Sequence, residues 1–87
     1  MVEPEKLAEL IRASVPGVTH VSIEDLTGTK DHFQAVVVSP VFGAMSRIEQ
    51  HQAVYRALGE LMAGPVHALA LRTFTPERWH DEQKKAG

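Results

Sequence analysis

Five histidines supply the side chains with the widest chemical range in this chain: His20, His32, His51, His67 and His80. A neutral imidazole is a common metal ligand at ordinary pH. No cysteine accompanies them. The chain therefore brings no disulfide framework, no thiolate zinc site and no cysteine nucleophile of its own, which fits an intracellular protein. Enzyme signatures are weak. There is no Gly-rich phosphate loop, no histidine pair at metal spacing on one helix and no Ser-His-Asp order. Ser39, next to Pro40, reads as a strand end rather than a nucleophile. The expectation is a protein that is not an enzyme.

The histidines fall at different kinds of position. His32 begins a valine-rich run and His67 begins a second apolar run. If these are parallel neighbouring strands, both imidazoles emerge at one end of the sheet. That is half a site for a metal whose other ligands come from elsewhere. Spacing alone favours the plainer reading, in which each is a polar strand end. His51 lies on or beside the apolar stripe of a long helix and reads as a satisfied, partly buried histidine. His20 and His80 are expected in solvent. Tyr55 and Trp79 read as core or cover, and Phe42 as either a loop anchor or an exposed contact.

The elements that position these residues follow from periodicity. Leu7, Leu10, Ile11 and Val15 recur at helical spacing. Glu3, Glu5 and Glu9 suit the N-terminal end of that helix, and Pro16-Gly17 ends it. Val21 and Ile23 then alternate with Ser22 and Glu24, as in a half-buried strand. A turn over Thr27–Asp31 leads into His32–Ser39, whose valines suit a strand covered on much of both sides. The two strands form a hairpin. Pro40 stops the second, and Ser46-Arg47-Ile48-Glu49 matches a capping box. Ile48, Val54, Tyr55, Leu58, Leu61 and Met62 continue the helix to a stop at Gly64-Pro65. His67–Leu71 alternates large and small as a third strand. Thr75-Pro76-Glu77 opens a last helix containing Trp79.

A strand-helix-strand crossover is right-handed by rule and sets the third strand parallel to a hairpin strand. The expected class is α+β: αββ(α)αβα, with a three-stranded mixed sheet packed against helices. The 87 residues make one domain. It is set at residues 1–82, with 83–87 as a frayed tail. The acidic N-terminus does not read as a signal peptide, and no apolar run approaches the roughly 20 residues needed to span a bilayer. Net charge is −2, with three basic and six acidic side chains in residues 1–31 and four basic against three acidic in 72–87. A strong nucleic-acid binder shows a basic stripe; this chain offers a small one at most.

One further pattern runs through residues 5–80. Phe33-Gln34-Ala35-Val36-Val37-Val38-Ser39 is followed by Phe42, then Ile48, His51, Val54 and Leu58. Val66-His67-Ala68-Leu69-Ala70-Leu71, Thr73-Phe74-Thr75-Pro76-Glu77 and Trp79 complete it. In combination these residues resemble the BolA family, whose fold is similar to a class II KH domain.

The resemblance implies a cytoplasmic adaptor that pairs with a monothiol glutaredoxin carrying a Cys-Gly-Phe-Ser site. The pair would share a [2Fe-2S] cluster with glutathione, and the free chain would hold none. His67 matches the family's histidine ligand. The second ligand comes from the loop between the first two strands, where His32 is the only nearby candidate. Phe42 and His67 would meet the partner. The free chain would be a monomer or weak homodimer, with no membrane attachment. Some relatives are described as transcription regulators, which makes Arg47 and Arg72 the candidate nucleic-acid contacts. The Gly-x-x-Gly clamp of true KH domains is missing, so DNA binding is expected to be weak.

Overall fold

Prolines and small polar residues divide the chain into the elements of the computed structural model, which describes residues 3–28, 32–62 and 68–86. Helix α1 (Pro4–Ser14) starts on a proline, where the missing N–H forfeits no helical bond, and buries Leu7 and Ile11. Strand β1 (His20–Asp25) pairs antiparallel with β2 (His32–Val38), Val21 opposite Val37. Ser39 and Pro40 turn the chain into a short 3-10 helix (Pro40–Ala44). Helix α2 (Arg47–Leu58) and a second 3-10 segment (Gly59–Met62) follow, then β3 (Ala68–Phe74) and α3 (Pro76–Ala86).

The sheet order is β1-β2-β3, and β3 runs parallel to β2. The class is α+β with a mixed sheet, as the periodicity predicts. Alternation divides each strand between two faces. Phe33, Val37 and Val21 turn toward the helices and form the main core with Leu7, Ile11, Val15, Phe42, Val54 and Leu58. On the opposite face Val36, Val38 and Phe74 make a smaller cluster covered by Trp79 of α3. Burying each large apolar side chain contributes roughly 1.5–3 kcal/mol, so the first cluster supplies most of the stability.

The capping box of α2 forms as read. Ser46 Oγ accepts from the Glu49 N–H at 3.2 Å, and Glu49 Oε1 accepts from the Ser46 N–H at 2.8 Å. The helix ends sooner than expected, at Leu58. Gly59 takes φ +55°, a left-handed backbone that glycine adopts without steric penalty, and the chain tightens into the 3-10 segment carrying Leu61 and Met62. The Gly64-Pro65 stop and residues 29–31 of the hairpin turn lie outside the described residues. The apolar stripe is also narrower than its residue types suggest. Val54, Ala57 and Leu58 are buried, whereas Ile48 is 69% exposed and Tyr55 38%. Helix α3 runs to Ala86, past residue 82, where the sequence reading ends the domain.

Candidate functional site

The strand ends carry the first group of candidates. His32 is the first residue of β2, half-buried, and pairs with Ala68 in the parallel register. His67 lies outside the described residues; it is the residue bonded to Ala68 in the chain. Among the described residues no group of three or more His, Cys, Asp or Glu side chains is arranged to hold a metal ion.

Phe42 is not presented to a partner. It is 1% exposed in the main core, so its place in the pattern is that of an anchor for the 3-10 helix. Ser39 is buried and fully engaged: its Oγ donates to the Pro16 carbonyl at 2.6 Å and accepts from the Val41 N–H at 3.3 Å. That bonding makes it a structural hinge at the strand end. His20 is not free in solvent as expected. Its ring stacks at 5.2 Å on Trp79, the residue that covers the smaller cluster. His80 is exposed, as expected.

The arginines make the second group. Arg47, the first residue of α2, and Arg72, in β3, line one cavity of about 280 Å³ with His51, Thr73, Arg78 and Glu82. Arg72 donates to Glu82 at 3.0 Å and lies over the Phe74 ring at 5.0 Å. The hydrogen bond from Arg72 holds the Glu82 carboxyl below the ordinary carboxylate range. His51 sets its ring edge-on to Tyr55 at 6.4 Å, a contact one helical turn long. Sequence reasoning missed Arg78. The signal was present, because Thr75 caps α3 by accepting from the Arg78 N–H at 3.3 Å. That cap sets the helix phase and with it the side of α3 that Arg78 occupies.

The floor of this region is held by an amide. Gln50 donates to the carbonyls of Phe42 at 3.0 Å and Met45 at 3.1 Å, and accepts from Thr73 Oγ at 2.5 Å. One side chain thus joins α2, the 3-10 helix and β3.

A family model described as BolA-like protein matches residues 4–78. BolA-like protein 1 of Mus musculus is 46% identical over 54 residues, covering 62% of this chain and 39% of that protein. The DNA-binding transcriptional regulator BolA of Haemophilus influenzae is 42% identical over 52 residues, covering 60% of this chain and 50% of that one. The matches span half or less of either relative's length. Among solved structures, BolA1 from Arabidopsis thaliana superposes with a TM-score of 0.77 at 26% identity, covering 87% of this chain and 96% of that chain.

Proposed function

Because the chain belongs to the BolA-like protein family, we propose that it is a non-enzymatic cytoplasmic adaptor that pairs with a monothiol glutaredoxin and helps hold or pass on a [2Fe-2S] cluster. The observation that carries this reading is the parallel register of β2 and β3. It pairs His32 with Ala68, the residue that follows His67 in the sequence, so the start of β2 and the first described residue of β3 lie side by side at one end of the sheet. With no cysteine in the chain, the thiolates must come from the glutaredoxin and glutathione. Imidazole nitrogen is an accepted donor to such clusters, as in Rieske centres, where it raises the potential. His32 is half-buried at a strand start rather than enclosed in the core, which suits a ligand that meets a partner. His67 is proposed as the main ligand and His32 as the second.

The test is anaerobic co-purification with a monothiol glutaredoxin, iron, sulfide and glutathione. A visible-absorbing heterodimer is expected, with altered spectra and weaker retention of the cluster after His67→Ala. Unchanged spectra and affinity in that variant would remove His67 as a ligand. Equal binding with and without iron and sulfide would leave an interaction module with no cluster.

One relative's name, a DNA-binding transcriptional regulator, supports a second reading in which Arg47 and Arg72 contact phosphate. The favouring observation is that Arg47, Arg72 and Arg78 line one cavity. The net charge of −2 weighs against tight binding.

A further inference from the structure

We propose that the outer edge of β3 is a docking groove for an extended acidic peptide segment, added to the sheet as a fourth strand. This inference is independent of the cluster reading and concerns the other end of β3. The strand is at the edge of the sheet. Its Phe74 carbonyl accepts from the Ser39 N–H at 3.0 Å, so Phe74 directs its main chain inward to β2. Both main-chain groups of a strand residue point to the same neighbour in a parallel pair. Alternation therefore turns the N–H and C=O of Leu71 and Thr73 outward. No turn, loop or side-chain hydrogen bond among the described residues reaches those main-chain groups.

The space beside them is a groove rather than a flat edge. The cavity of about 280 Å³ continues into one of about 200 Å³, and the two share Thr73, Phe74 and Arg78. Together they follow the strand from Leu71 to Thr75, a reach of about 13 Å that suits four or five extended residues. Helix α2 contributes Arg47 on one side and α3 contributes Arg78 on the other. Neither has an ion-pair partner among the described residues, and Arg72 already holds Glu82. Three guanidiniums thus face a single carboxylate on a chain whose net charge is negative.

Strand addition takes affinity from main-chain bonds and selectivity from alternate side chains. Outward N–H and C=O groups in turn need a partner that both accepts and donates, which a peptide backbone does and a phosphate chain does not. Among the described residues that line the groove, Phe74 offers no open ring face to a base, since it is buried and the Arg72 guanidinium lies over it. The arginines select acidic side chains on the incoming strand. Charged residues also guard sheet edges against self-pairing, and the experiment separates guarding from docking.

The probe is a blocked seven-residue peptide alternating glutamate and valine, titrated into the full-length ¹⁵N-labelled chain. Saturation should slow amide exchange at Leu71 and Thr73 more than tenfold, with smaller effects elsewhere. The double substitution Arg47→Glu, Arg78→Glu should weaken binding at least tenfold; acidic residues in the first turns of α2 and α3 favour both helices, so the fold should persist. The same peptide N-methylated at alternate residues should bind at least tenfold more weakly to the native chain. That arm decides the matter if the double variant loses its native spectrum. Absence of binding, equal affinity for the N-methylated peptide, or unchanged affinity in a folded double variant would overturn the proposal. So would a twelve-residue oligothymidylate that binds at this edge more tightly than the peptide.

Discussion

Ser39 shows how one hydroxyl can fix where a strand ends. It is fully buried, and its oxygen joins the Pro16 carbonyl to the Val41 N–H across the start of the 3-10 helix. Ser39→Ala keeps the volume but leaves both groups without that partner. The loss is expected to be about 1–2 kcal/mol, the usual cost of breaking a partly buried hydrogen-bond pair. Trp79 is the sole tryptophan, so its emission can follow urea unfolding, and the midpoint should fall by roughly 1 M at an m-value typical of a small domain. A midpoint unchanged within error would show that water replaces the hydroxyl without cost. Glu82 makes a different residue-scale case, because its effect depends on pH. Arg72 lowers its pKa in the folded chain. The stabilisation is therefore fully present above the ordinary carboxylate range and is lost as pH falls through the lowered folded value. Glu82→Gln should reduce stability near pH 7, and its curve should converge on that of the parent chain as pH falls through the lowered folded value. A gap that stayed constant into acid would rule out the ion pair as its source.

Among the elements, α2 was the easiest to read at its start and the hardest at its end and around its circumference. The Ser46–Glu49 box is a local signal, since both bonds close within four residues, and it formed where the spacing predicts. Ile48 and Tyr55 have core-like side chains but lie on the outward side of the helix, which depends on where α1 and the sheet pack. No local pattern carries that information. Gly59 ended the α-helix ahead of Gly64-Pro65 for a related reason: sequence offers two glycines as stops in this region, and Gly59 takes the positive φ. The α+β class and the mixed sheet were legible because the switches of period from 3.6 to 2 are clear, whereas the choice of β2 rather than β1 as the parallel neighbour of β3 was not. The arginine cavity was not, because Arg47, Arg72 and Arg78 are brought together only by the crossover. Gln50 is the element-scale link that sequence concealed as an ordinary polar helix residue. Gln50→Ala removes donors to two carbonyls and the acceptor of Thr73. A loss of about 1–3 kcal/mol is expected. The same urea assay measures it, and the Thr73→Val, Gln50→Ala double variant should cost less than the sum of the singles. Strict additivity would mean that the Thr73 bond contributes nothing.

At the scale of the whole molecule, charge sets a ceiling on what the arginine side can do with nucleic acid. The chain carries a net −2, and its N-terminal third is acidic. Three arginines line the cavity, one of them already paired with Glu82. Each phosphate neutralised on duplex DNA contributes about −0.9 to the slope of log affinity against log salt, so three contacts give a slope of about −2.7. Between 50 and 200 mM salt this amounts to a loss of roughly 40-fold, against the thousandfold or more expected of six to ten phosphate contacts. Fluorescence anisotropy with a labelled duplex across that salt range should therefore give a slope no steeper than about −3. The slope should become shallower by about 0.9 with Arg47→Ala, and the substitution should weaken all sequences alike, since a phosphate contact carries no base information. A steeper slope would require cations beyond these three. A sequence-dependent loss with Arg47→Ala would require that side chain to reach a base edge, and either result would move the DNA reading ahead of the adaptor reading.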